Sequence, residues 1–190
     1  MPRFTRAELD SFRDAEIPDL VGDDLRLLFV GINPGLWTAA VQTHFAHPAN
    51  RFYPALLAAG ILERRIDPAA GMTPEDRAYF VGRGLGITNL VRRASARADE
   101  LTAAELRAGG ERLVEDVITW QPRVVAVAGI TAFRAAFGAR RAAAGRQPEP
   151  LAGAELWVVP NPSGLNAHET IASLATAYRA AAEAAGVVQP

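Results

Sequence analysis

Neither cysteine nor lysine occurs in the 190-residue sequence, and all 20 basic side chains are arginine. Without cysteine there are no disulfides, no thiolate-ligated zinc, no iron–sulfur clusters and no thiol nucleophile. Without lysine there is no lysine Schiff base, no lysine-anchored pyridoxal phosphate and no Walker-type phosphate lysine. Base composition or lineage accounts for both absences, and the chemical exclusions hold whatever the cause. No uninterrupted apolar run approaches the ~20 residues of a membrane span, and the N-terminus lacks a basic-then-apolar signal pattern. A cytoplasmic protein with no membrane partner is the expectation.

Charge of either sign is not in excess: 20 basic against 21 acidic residues give a net charge of −1. With 49% hydrophobic and 22% charged residues, wholesale disorder is excluded, and the length suits one compact domain. Four short β-rich runs stand out, at Leu25–Ile32, Gly86–Val91, Arg123–Ile130 and Glu155–Pro160. The first and third are nearly continuous apolar segments, as in strands covered on both faces. Helical patterns separate them. Thr73-Pro74-Glu75-Asp76 has an N-cap hydroxyl with proline at the first helical position, and Thr102–Glu105 is a capping box opening a helix to about Trp120. Asn50–Ala59 and Ala167–Ala185 also read as helices. The alternation predicts an α/β fold, a three-layer αβα sandwich with a short, mainly parallel central sheet. Residues 25–190 form that domain. Residues 1–24, with Glu8, Asp10, Asp14, Glu16, Asp19, Asp23 and Asp24, form an acidic N-terminal arm or helix, and Ala-rich 139–154 reads as a surface excursion.

In open parallel sheets, ligand-binding groups sit just past the carboxyl ends of strands. Two of those ends are unusual: Gly31-Ile32-Asn33-Pro34-Gly35-Leu36 and Pro160-Asn161-Pro162-Ser163-Gly164-Leu165-Asn166. Each carries an Asn-Pro pair and a glycine. One such segment is an ordinary turn; two suggest facing loops around one pocket. Together with Phe45-Ala46-His47-Pro48-Ala49-Asn50-Arg51-Phe52 between them, these segments resemble the mismatch-specific uracil/thymine DNA glycosylases of the uracil-DNA glycosylase superfamily. The resemblance covers roughly residues 25–180, with Gly86–Val91 and Leu106–Leu113 also in register.

The resemblance implies a DNA repair glycosylase that flips uracil, opposite guanine, out of duplex DNA and hydrolyses its N-glycosidic bond without metal or cofactor. It assigns Asn33 to positioning the attacking water and Asn161 to shaping the pocket and holding that water. Gly31, Ile32, Thr38, Phe45 and Asn89 become base-binding, with the Phe45 ring as the stacking platform. Ser163, Gly164, Leu165 and Asn166 become the wedge segment, Leu165 entering the vacated base stack. Three residues depart from the family pattern: Trp37 is bulky where small residues are common, and Asn166 and Ala167 stand where relatives read the orphaned partner base.

The remaining polar residues allow other readings. His44, His47 and His168 are the chain's histidines and a three-histidine metal site is conceivable, but the 44/47 pair sits on a loop with no carboxylate constellation beside it, so no metal is expected. His47-Pro48 reads as a brace for the loop carrying Phe45, and His44 as a residue that could touch substrate. Arg83, Arg92, Arg93 and Arg97 form one acid-free stretch and Arg134, Arg140, Arg141 and Arg146 another. The first follows a strand end, which makes Arg92 and Arg93 the expected phosphate ligands. The missing lysine argues for a monofunctional enzyme; Pro2 would offer an amine only if Met1 were removed. Two alternatives stand beside the monomeric glycosylase: a lesion-binding DNA module with little excision, and a nucleoside hydrolase on a similar scaffold.

Overall fold

Five strands build the sheet in this computed structural model, which describes residues 4–189; Met1–Arg3, including Pro2, and Pro190 lie outside the described residues. They are β1 (Leu27–Gly31), β2 (Leu85–Asn89), β3 (Val124–Ala128), β4 (Gly145–Arg146) and β5 (Glu155–Val159). The order is β2-β1-β3-β5-β4, parallel throughout except for β4, which runs antiparallel on the outer edge. Every residue of β1, β2 and β3 is buried, as the nearly continuous apolar runs of β1 and β3 predict for strands covered on both sides; β2 is buried as well although it carries Thr88 and Asn89.

Seven α-helices occur among the described residues: α1 (Arg6–Asp10), which packs on α2 (Leu36–Val41), then α3 (Phe52–Ala58), α4 (Pro74–Gly82), α5 (Ala103–Trp120), α6 (Ile130–Phe137) and α7 (Ile171–Ala184). Alternation along the strands divides the core in two. Leu27, Phe29, Ile87 and Ala126 pack with Phe52, Leu56, Phe80 and Tyr178 from α3, α4 and α7. Leu28, Val30, Val125 and Val127 face Leu113, Val117 and Phe133 from α5 and α6. Each large side chain buried this way contributes about 1.5–3 kcal/mol against exposure. Threonine N-caps at Thr73, Thr102 and Thr170 fix where α4, α5 and α7 begin.

Some expected boundaries shift. α7 starts at Ile171 rather than Ala167, because Thr170 and Ser173 close a capping box and the preceding residues are held as a loop. α2 occupies a stretch where the Asn-Pro-Gly signal suggested only a turn, and β4 lies within the 139–154 excursion.

The N-terminal arm is docked along the free edge of β2. Leu20 and Ile87 exchange both backbone hydrogen bonds, at 2.9 and 2.8 Å, and the Asp14 N–H reaches the Ala94 carbonyl at 2.9 Å. Ile17 is buried with Leu36, Ala39 and Ala94, and Leu9 and Phe12 pack against them. An edge that would otherwise offer unpaired N–H and C=O groups is thereby covered.

Candidate active site

The loops leaving β1, β2, β3 and β5 open onto one cavity of about 950 Å³. That volume lies at the upper end of small-molecule sites and exceeds what a single base fills. Asn33, Phe45, Asn89 and Asn161 all line it.

Asn33 follows β1, and its carboxamide orientation is dictated by neighbours. Nδ2 donates to the Arg93 carbonyl at 3.1 Å, the Ser95 hydroxyl at 2.8 Å and the Pro34 carbonyl at 3.2 Å. The Ser95 hydroxyl spends its own proton on the Arg97 carbonyl at 2.7 Å, so it can only accept from Asn33. Oδ1 is left without a donor among the described residues. Ser95 is buried and was not singled out by sequence reasoning; its register beside Gly35 comes from a parallel bridge between loops 60 residues apart.

Asn161, on the opposite loop, is held the other way round. Its Oδ1 accepts the Ser163 N–H at 3.0 Å, leaving Nδ2 without an acceptor among the described residues. One loop thus presents an acceptor to the cavity and the other a donor.

Phe45 is half-buried, its ring stacked on Phe52 at 4.2 Å between centroids, with Phe52 edge-on to Phe29. Its backbone has φ of 54°, left-handed and unusual for a bulky residue. Its N–H has no acceptor among the described residues. Backbone strain of this kind costs on the order of 1–3 kcal/mol and persists where the surroundings enforce it. A β-carbon on Gly31 would fall 2.4 Å from Asn89 Oδ1 and 3.2 Å from the Phe45 ring, so only glycine lets β1 sit this close to both.

Asn89 Nδ2 contacts His44 Nδ1 at 3.2 Å, and His44 Nε2 contacts the Pro18 carbonyl at 3.1 Å. Burial pushes the imidazole down to about 4, against the smaller opposing pull of the Pro18 carbonyl and Asp19. His44 is therefore neutral near pH 7, and it is turned toward the arm and Asn89.

A uracil DNA glycosylase superfamily model matches residues 18–183, most of the chain and all of the cavity loops. This chain belongs to the uracil DNA glycosylase superfamily. Members of the superfamily are DNA glycosylases, hydrolases of the bond between base and sugar. The fold is similar to a solution NMR structure from Methanosarcina acetivorans, a protein provisionally named a uracil DNA glycosylase. That likeness has a TM-score of 0.54 at 13% identity and covers 87% of this chain and 98% of the other.

Most of the residues singled out on this superfamily's pattern converge on the cavity. Ile32 and Thr38 line it from the end of β1 and from α2, while Gly31 is not a lining residue and stands behind Asn89 and the Phe45 ring. Thr38 Oγ1 accepts the Ala46 N–H at 3.4 Å beneath the Phe45 loop. His47 Nδ1 accepts the Ala49 N–H at 3.1 Å, and its ring stands edge-on to Trp37. Trp37 donates from Nε1 to the Ala69 carbonyl at 3.0 Å, an anchor for its bulk.

At the rim, Leu165 is 83% exposed, an extreme value for a leucine. Its loop is held from beneath by Arg51, whose guanidinium donates to the carbonyls of Ser163 at 2.5 Å, Asn166 at 2.7 Å and Glu169. Asn166 Nδ2 closes the loop onto the Asn161 carbonyl at 3.1 Å. Gly164 presses on α3's approach, where a β-carbon would lie 2.7 Å from the Ala49 carbonyl. Arg51 was not singled out as a site residue, since its three acceptors lie more than 110 residues away.

Arg92 and Arg93 are a correction. Neither is a free cation: Arg92 pairs with Asp19 at 2.8 Å, and Arg93 with Glu105 at 2.5 Å and Asp14 at 3.2 Å. Arg93 and the Thr102 cap together hold the Glu105 carboxyl at about 2. The stretch lacks acids in sequence, but the docked arm and α5 bring them in space. Arg140 and Arg141, by contrast, are exposed with no carboxylate partner among the described residues, and nearby Ala144 lines the cavity. No helix among the described residues is long and apolar enough to cross a membrane.

Proposed function

We propose that the protein is a monofunctional DNA glycosylase that extrudes uracil, opposite guanine, from duplex DNA and hydrolyses its N-glycosidic bond with a water held by Asn33. The observation that carries this reading is the Asn33 carboxamide, its nitrogen fully engaged and its oxygen left as an acceptor on the cavity. An amide oxygen orients water but is too weak a base to remove its proton early. The bond between C1′ and the base nitrogen therefore breaks ahead of attack. Its electron pair leaves with uracil as an anion, the water oxygen bonds C1′, and the released proton passes to solvent.

The other cavity groups suit that path. The Phe45 ring offers a stacking face, and its unpaired N–H, with Asn161 Nδ2, offers donors to a base gaining negative charge. In this reading Asn89, a lining residue whose Oδ1 has no donor among the described residues, accepts the imide N–H that uracil carries. Leu165 fills the stack after the nucleotide leaves. A single chain supplies all these groups, and this route uses no metal, cofactor or amine nucleophile.

The experiment is an excision assay on labelled duplexes carrying uracil opposite guanine or adenine, with thymine and ethenocytosine opposite guanine alongside. Free base and alkali-dependent cleavage from uracil opposite guanine, lost in Asn33→Ala, are the expected results. Strand nicking without alkali would contradict the monofunctional reading. A gel shift with no free base from any duplex would favour a lesion-binding module instead.

A further inference from the structure

The base pocket reaches back to the N-terminal arm through three hydrogen-bonding groups in series. The Pro18 carbonyl can only accept, so His44 Nε2, 3.1 Å away, must carry the imidazole proton. A neutral imidazole has one N–H, which leaves Nδ1 as a bare acceptor. Asn89 lies 3.2 Å from that nitrogen and must present Nδ2 to it. Turning the Asn89 amide over would set its oxygen against the Nδ1 lone pair, two acceptors without a proton between them. The oxygen is therefore left on the other side, against Gly31 and beside the Phe45 ring, where it has no donor among the described residues. Burial of His44, which keeps the ring neutral, sustains the arrangement across the physiological range.

We propose that His44, anchored by the Pro18 carbonyl of the arm, is a positioning residue that fixes which end of the Asn89 amide faces the base, and so makes the arm part of the specificity apparatus. This rests on the reading of the cavity as a base pocket. A pocket wall that shows an acceptor pairs with bases bearing an imide N–H, such as uracil. It meets cytosine, or a uracil methylated at N3, with no proton to share.

The test compares uracil, N3-methyluracil and cytosine, each opposite guanine, in the wild-type protein and in His44→Phe, which keeps a ring and removes both nitrogens. The wild type is expected to prefer uracil over N3-methyluracil by at least about tenfold, the worth of one well-made hydrogen bond. In His44→Phe the ratio is expected to shrink toward one, because the amide is free to turn. A loss of activity that left the ratio unchanged would mean a merely structural role and overturn the proposal.

A second measurement needs no variant. Long-range ¹H–¹⁵N spectra of the wild-type protein should show the His44 proton on Nε2 and Nδ1 bare; a proton on Nδ1 would overturn the proposal. If the wild type releases no base at all, the glycosylase reading fails separately. The preference is then read as binding to uracil over N3-methyluracil duplexes, which must still shrink in His44→Phe.

Discussion

Gly31 and Asn89 are register partners across β1 and β2, and the carboxamide oxygen of Asn89 occupies the space that a β-carbon on residue 31 would need. The absence of one side chain thus seats another. Gly31→Ala forces the two apart by displacing Asn89, Phe45 or the strand itself. The expected result is a loss of about 1–3 kcal/mol in urea unfolding, together with a fall in uracil excision larger than the stability loss explains. Wild-type turnover in a folded Gly31→Ala protein would show that the Asn89 oxygen is not needed at this spot.

Asn33→Ala should lower single-turnover excision by about 10²–10³, the usual scale for removing one positioned polar group in a site. Ser95→Ala tests the same carboxamide indirectly. It removes one of the three acceptors that orient Nδ2 and is expected to give a smaller loss in the same step, with duplex binding unaltered.

Leu165→Ala should leave stability within about 0.5 kcal/mol of wild type, since the side chain is 83% exposed. Excision should fall in well-paired duplex and stay near wild type on single strands. Arg51→Ala acts on the same loop from beneath and should reproduce this duplex-selective loss with a measurable drop in stability. Equal effects on both substrates would remove the wedge assignment.

Salt dependence of duplex binding separates the two arginine groups. Arg140→Ala and Arg141→Ala should each reduce the slope of log K against log salt by about 0.9 for every phosphate that the arginine neutralises. Arg92→Ala should leave the slope unchanged and lower stability, because its guanidinium is paired with Asp19.

Stability should depend on pH through His44. The folded imidazole titrates at about 4 against an ordinary 6.5, chiefly through burial; Asp19 opposes this slightly and Arg77 reinforces it. Between those values the unfolded chain binds the proton and the folded chain refuses it. Stability therefore rises with pH across roughly 4 to 6.5 and levels above, by on the order of 3 kcal/mol from this group. Urea midpoints for wild type minus His44→Phe across that window isolate the contribution from the carboxylates, and a flat difference would contradict it.

What the sequence made legible was whatever is encoded locally. Apolar runs marked the four parallel strands to within two residues, and the Thr73, Thr102 and Asn-Pro segments marked helix starts and strand ends. What escaped was set by pairing between distant segments. α2 has only six residues behind a turn signal, and β4 has two, too few for any periodicity. The acidic arm read as solvated surface because its carboxylates outnumber the arginines around them in sequence; the distant partners of Asp19 and Asp14, Arg92 and Arg93, arrive only when Leu20 joins β2. Ser95 and Arg51 escaped similarly, as each serves a loop far along the chain.

The left-handed backbone at Phe45 sets two kinds of selection against each other. Glycine or asparagine would relax that main chain, so a screen for heat tolerance alone should favour them at this position. Either would also remove the ring that walls the cavity beside Gly31. A library ranked by melting temperature and one ranked by turnover should therefore diverge first at residue 45, and a thermostable lineage of this protein should keep its aromatic there only while excision is required of it.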